Sequence, residues 1–212
     1  MPVNLDSLDN IKKKLQVFNR EIDLMAVTKN RSKEDVMTLM KNEIKIFGEN
    51  RVQEAQQKFN GLFAIETFSL HLIGPLQTNK VKDALKIFHS IQSIDRIKLV
   101  DEISKFIHQD YVKTSNFYIQ VNIGNEKQKS GVPVENLESL YQYSLSKNLN
   151  IKGLMCIPPA NQDATPYFKE MNVLKDKLDS HLKLSMGMST DYDLALALNT
   201  NLIRLGSILF ND

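Results

Sequence analysis

A chain of 212 residues, 42% hydrophobic and 25% charged, has the balance of a soluble globular protein, and a formal charge of +2 is too small to mark a nucleic-acid or acidic-membrane surface. The single cysteine, Cys156, excludes an intrachain disulfide, so the fold must stand on its core alone. No basic segment leads into an N-terminal apolar run and no stretch approaches membrane-spanning length, which together suggest a cytoplasmic protein.

Leu5, Leu8, Ile11, Leu15 and Phe18 recur at helical spacing with Lys12, Lys13 and Lys14 between them, the pattern of an amphipathic opening helix. The run Leu24 to Thr28 then predicts a short strand covered on both faces, ending on Lys29. A lysine there either marks where the strand meets water or is buried, which is costly unless the amine is neutral, paired or covalently used. Ser32 and Asp35 form a capping-box pattern ahead of Val36, Leu39 and Met40.

Strand and helix continue to alternate. KIFGEN (Lys45–Asn50) predicts a strand and RVQEAQQKF a helix; FSLHLIG (Phe68–Gly74) and SIQSI (Ser90–Ile94) predict strands, the first followed by a helical TNKVKDAL and the second by a helix over about Arg96–His108. FYIQVNI (Phe117–Ile123) is the fifth strand, and a polar loop leads to a helix begun near Pro133. IKGLMCI (Ile151–Ile157), stopped by Pro158 and Pro159, precedes a helix over Pro166–His181. KLSMGM (Lys183–Met188) is the seventh strand, Thr190 and Asp193 are expected to cap a short helix, and LIRLGS (Leu202–Ser207) is the eighth strand.

Eight strands alternating with helices predict an α/β fold, a single (β/α)₈ TIM-type barrel over residues 1–212, with no linker dividing it. Too little chain follows the eighth strand for a full helix, so the extra N-terminal helix is expected to cover the last gap. Closure sets strand eight beside strand one, bringing Lys29 next to Arg204, Leu205, Gly206 and Ser207. Active sites in this fold lie at the C-terminal ends of the strands, with a phosphate site at the loops after strands seven and eight. Here those loops are SMGMST (Ser185–Thr190) and GSILF (Gly206–Phe210). Each serine or glycine taken singly could be a cap or a tight turn. Together with Lys29 and Arg204 they suit a phosphorylated aldehyde held as an imine.

In order along the chain, AVTK (Ala26–Lys29), FGENRVQE (Phe47–Glu54), HLIGPLQTNK (His71–Lys80), GLM (Gly153–Met155), SMGMS (Ser185–Ser189) and RLGS (Arg204–Ser207) closely resemble the YggS/PROSC family of pyridoxal 5′-phosphate (PLP) homeostasis proteins. The resemblance spans essentially the whole chain and implies a barrel similar to the N-terminal domain of alanine racemase. It implies a Schiff base between PLP and Lys29, with Ser185, Met186, Gly206 and Ser207 around the phosphate, Arg204 facing the pyridine nitrogen and Asn50 at the cofactor's edge. Asn211 departs from the family pattern, standing where a glycine commonly follows Phe210.

PLP catalysis uses a protonated pyridine ring as electron sink, and an arginine opposite that nitrogen disfavours its protonation. Alanine racemase resembles this arrangement but adds a tyrosine base from a partner's second domain, for which this chain has no counterpart. The leading expectation is a monomeric carrier or buffer of PLP without a committed reaction, serving PLP-accepting apo-enzymes. The alternatives are a PLP-dependent amino-acid racemase or decarboxylase and a cofactor-free Schiff-base aldolase. His71, His89, His108 and His181 lack metal-ligand spacing, Cys156 reads as a core residue, Lys127 and Lys129 as solvated loop residues, and no tyrosine is expected at a strand end.

Overall fold

The structure, a computed structural model, describes residues 2–64 and 67–211. Eight parallel strands hydrogen-bond in chain order and close into a barrel. They are β1 (Asp23–Val27), β2 (Ile46–Glu49), β3 (Ser69–Leu72), β4 (Ser90–Ile94), β5 (Asn116–Val121), β6 (Ile151–Cys156), β7 (Lys183–Ser185) and β8 (Leu202–Leu205). Helix α1 (Leu5–Gln16) precedes β1, and α2 (Lys33–Lys41), α3 (Val52–Lys58), α4 (Val81–Ile87), α5 (Ile97–Ser104), α6 (Leu137–Ser146), α7 (Thr165–Leu178) and α8 (Tyr192–Ala197) follow β1 to β7 in turn.

The strands are short, and most of their apolar residues are buried, on both faces of the barrel wall. Closure pairs Met25 with Arg204 and Ala26 with Leu205, setting the ends of β1 and β8 side by side. Glycines let neighbouring strands close up: a Cβ on Gly153 would lie 2.0 Å from the Lys183 carbonyl oxygen, and one on Gly74 would lie 2.2 Å from that of Asn50.

The N-terminal segment packs against the chain after β8, as expected. Among the described residues, β8 is followed by a 3-10 turn (Ser207–Leu209). Val3 bridges antiparallel to Phe210, and the Asn4 amide donates to the Leu209 carbonyl at 2.9 Å. Asn4 also caps α1, its side chain accepting from the Ser7 amide at 3.0 Å, while Leu8 and Ile11 turn inward and are buried. The predicted Ser32–Asp35 capping box is formed reciprocally at α2.

Several boundaries differ from those the sequence predicts. The segment after Pro133 begins as a 3-10 turn (Val134–Asn136), and the α-helix starts only at Leu137. Helix α5 stops at Ser104, short of His108. Strand β7 ends at Ser185 because Gly187 takes a φ of 96°, which turns the chain against α8. Asp191, not Thr190, stands at the N-cap of α8; its carboxylate accepts from the Met188 amide at 2.6 Å, tightening the loop instead of capping the helix.

Candidate functional site

A cavity of about 530 Å³ opens at the C-terminal ends of the strands. Val27, Lys29 and Asn50 form its wall at β1 and β2, and Ile73, Gly74 and Pro75 continue it after β3. Opposite stand Gln120, Lys129, Ser130 and Ile157, and the remaining wall, after β7 and β8, is Met188, Ser189, Thr190, Arg204, Gly206 and Ser207.

Lys29 lies two residues beyond β1 in a turn held from behind. The Thr28 hydroxyl donates to Glu49 Oε1 at 2.6 Å, and the Asn30 amide, at a φ of 59°, donates to Glu54 Oε1 at 2.6 Å. Lys58 joins the two carboxylates, with Nζ 2.7 Å from Glu49 and 2.9 Å from Glu54, and also donates to the Thr28 carbonyl. This cluster packs between β1, β2 and α3, so the residues on both sides of Lys29 are anchored while its own side chain stays free. Burial pushes the Glu49 carboxyl up, against the opposing pull of Lys58 and Thr28. At Glu54 burial pushes up as well, but the Lys58 and Asn30 hydrogen bonds together outweigh it and hold the carboxyl low.

The Lys29 amine makes no hydrogen bond or ion pair among the described residues, and the side chain is exposed at the cavity. The buried cation of the site is instead Arg204, 3% exposed. Its guanidinium donates to the Ser185 carbonyl, to Ser185 Oγ at 2.9 Å and to the Cys156 carbonyl at 2.7 Å. No carboxylate among the described residues lies within ion-pair distance of it. Burial draws its pKa down from the usual arginine value, yet arginine keeps its charge in proteins. A charged group so deeply buried with only neutral partners favours an anion or a lone pair beside it.

Beyond β8, the amides of Gly206 and Ile208 converge on the Ser189 hydroxyl oxygen, at 3.3 and 3.5 Å. Converging backbone donors of this kind form a concavity suited to an anion. A Cβ built on Gly206 meets nothing nearer than Val27, at 3.7 Å, so the hydrogen there faces open space that a side chain would fill.

Lys29, Asn50, Arg204, Gly206 and Ser207 thus line one cavity. Ser185 and Met186 do not. Ser185 is buried below the floor with its hydroxyl engaged by Gln92 and Arg204, and Met186 packs wholly into the hydrophobic core. Because β7 stops at Ser185, the residues of that loop that reach the cavity are Met188, Ser189 and Thr190. Lys129 also departs from the solvated-loop expectation. It lines the cavity and donates to the Pro158 carbonyl at 3.2 Å, while Lys127 is exposed.

The spacing of polar residues two apart within apolar strands, Ser69 with His71 and Ser90 with Gln92, was a legible signal for a polar barrel interior. The Glu49–Lys58 contact had none, since a strand and a helix meet there only in the fold. Cys156 is a core residue as its sequence context suggests; burial pushes its thiol up to about 12, so it stays protonated.

The family model "Alanine racemase, N-terminal domain" matches residues 4–212. A pyridoxal phosphate homeostasis protein of Aquifex aeolicus is 39% identical over 178 residues, 80% of this chain and 77% of that protein. One from Helicobacter pylori is 38% identical over 197 residues, 90% of this chain and 88% of its own. The chain belongs to the YggS/PROSC family. Among solved structures, PipY of Synechococcus elongatus PCC7942 with PLP bound superposes with a TM-score of 0.85 at 29% identity, covering 97% of this chain and 99% of PipY. The alanine racemase of Clostridium difficile 630 shares the fold alone with this YggS/PROSC member: TM-score 0.77, 17% identity, all of this chain but 58% of the racemase.

Proposed function

We propose that the protein binds PLP in this cavity and acts in PLP homeostasis, as a carrier or buffer without a committed reaction. The observation that carries the reading is the meeting of an unpaired amine, Lys29, with a buried cation, Arg204, that has no ion-pair contact among the described residues, and a backbone anion cradle at Gly206 and Ile208. The residues fit the cofactor group by group. Lys29 would hold its aldehyde carbon, Ser189, Gly206 and Ser207 its phosphate, Arg204 its ring nitrogen, and Asn50 its edge.

When bound to a lysine amine, PLP forms an imine with loss of water, and its ring can act as an electron sink. Arg204 donates to, and repels a proton from, whatever nitrogen it faces, which opposes that sink. No tyrosine or histidine among the described residues lines the cavity, so the amines of Lys29 and Lys129 are the bases left there to move a proton at a substrate carbon. Both features favour holding the cofactor over transforming an amino acid with it.

The same proposal places the protein in the cytoplasm as a monomer that hands PLP to apo-enzymes. No helix among the described residues is long and apolar enough to cross a membrane.

The test is absorbance of the purified protein with PLP, followed by borohydride reduction and peptide mapping. The adduct is expected on Lys29, and Lys29→Ala is expected to lose it; undiminished trapping in the variant would refute the assignment. Amino-acid α-proton exchange in heavy water at rates usual for enzymes, about 1–10³ s⁻¹, would replace the carrier reading with a racemase-like one.

A further inference from the structure

Beneath the cavity floor, polar side chains on β3, β4, β7 and β8 join into one hydrogen-bonded chain through the barrel interior. Arg204 meets Ser185 Oγ at 2.9 Å, Ser185 Oγ meets Gln92 Oε1 at 2.7 Å, Gln92 Nε2 meets His71 Nδ1 at 3.0 Å, and His71 Nε2 meets Ser69 Oγ at 2.9 Å. Ser185 and Gln92 are wholly buried, and Arg204 and His71 nearly so.

The direction of every bond follows from the first. A guanidinium only donates, so the Ser185 oxygen accepts from Arg204 and its proton goes to the Gln92 carbonyl. The Gln92 amide nitrogen then donates to His71 Nδ1. A neutral ring accepting at Nδ1 carries its proton on Nε2, facing Ser69. Turning Gln92 over would leave the Ser185 hydroxyl proton without an acceptor among the contacts described. Burial supports the neutral ring, pulling His71 down to about 3.

We infer that Gln92 and His71 are positioning residues for Arg204: they lock Ser185, and through it the guanidinium, so that its charge is turned toward the cavity and is not neutralised from below. This rests on the cofactor reading, since the group it serves is a ring nitrogen beside Arg204. A buried cation backed by a neutral chain keeps that nitrogen unprotonated, whereas a carboxylate one hydroxyl away would offset the cation and favour the proton.

The experiment uses the full chain. In the protein without PLP, nitrogen NMR of His71 is expected to show the proton on Nε2; a proton on Nδ1 overturns the inference without any variant. PLP binding and the pH dependence of the bound cofactor's absorbance are then compared for the parent, Gln92→Glu and Gln92→Leu, with thermal melting to confirm folding. Lys29 and Lys129, the other cations lining the cavity, and Asp191, the carboxylate at the start of α8 whose charge acts on Arg204, are untouched in both variants. The acid isostere is expected to shift the absorbance midpoint upward by about one pH unit. Gln92→Leu is expected to raise the PLP dissociation constant roughly tenfold. Folded variants with the parent's midpoint and affinity overturn the inference while leaving PLP binding intact. A parent that binds no PLP overturns the cofactor reading and this inference together.

Discussion

At the scale of single residues, Gly206 and Arg204 show how little freedom the site has. The space beside Gly206 accepts a Cβ without a protein clash, the nearest atom being 3.7 Å away. Gly206→Ala is therefore expected to fold with a melting temperature close to the parent's while its methyl occupies the approach to the anion cradle. Losing one charge-assisted hydrogen bond costs about 1.5–3 kcal/mol, so the PLP dissociation constant should rise by about one to two orders of magnitude in a spectroscopic titration. Equal affinity would put the phosphate elsewhere. Arg204 is less permissive. A glutamate at that position would set a carboxylate against the carbonyl oxygens of Ser185 and Cys156, which accept hydrogen bonds and cannot donate them. Charge reversal there would test folding before it tested electronics, and Gln92, one step further along the chain, is the better place to alter the field.

At the scale of elements, the strand end carrying Lys29 owes its position to α3. Lys58 reaches from that helix to Glu49 Oε1 on β2 and to the Thr28 carbonyl, and Glu49 Oε2 is buried with no hydrogen-bond partner. Removing the cation would leave Glu49 in a dry site with a lone hydroxyl donor. Breaking one side of a buried pair costs about 3–5 kcal/mol, so Lys58→Met should lower the unfolding free energy by that order in urea denaturation. Replacing both partners with apolar residues should recover much of the loss, since the desolvation of two charges is then avoided. If Lys58→Met were as stable as the parent, the cluster would be incidental to the turn. Lys29 is exposed and the residues flanking it are fixed, a division of labour that suits a side chain that must meet a ligand without moving its backbone.

Across the whole molecule, the barrel interior makes stability depend on pH in a definable direction. His71 is held neutral down to about pH 3, while in the unfolded chain it protonates near 6.5. Between those values the unfolded state binds the extra proton, so stability falls as pH falls, by up to about 1.4 kcal/mol per unit for this one group. His89 acts in the same sense, lowered first by burial and then by Lys113. Equilibrium unfolding from pH 7 to 4 should thus show a steeper acid loss in the parent than in His71→Gln, whose amide can still accept from Gln92 and cannot protonate. Parallel curves would mean that His71 is not neutral in the native state.

Much of this architecture can be read from the order of apolar runs. Period and length distinguish strands from helices, alternation of the two demands parallel pairing, and an amphipathic helix ahead of the first strand needs an apolar surface to cover. From closure alone the end of β1, with Lys29 beyond it, falls beside the end of β8, because parallel register in a barrel brings equivalent strand ends together. The sequence could not say which serine of the SMGMST loop meets the cavity. That depends on where β7 stops, and the stop is set by the positive φ of Gly187 and the seat of α8. Nor could it say that the buried cation is Arg204 and the exposed one Lys29. Burial at a strand end is decided by the neighbouring loops. The interior chain from Arg204 to Ser69 was also out of reach, since Ser185 and Gln92 lie 93 positions apart and meet only across the closed barrel. Local patterns along a chain report its own backbone, whereas a hydrogen bond between distant strands exists only once their register and the barrel's closure have been fixed together.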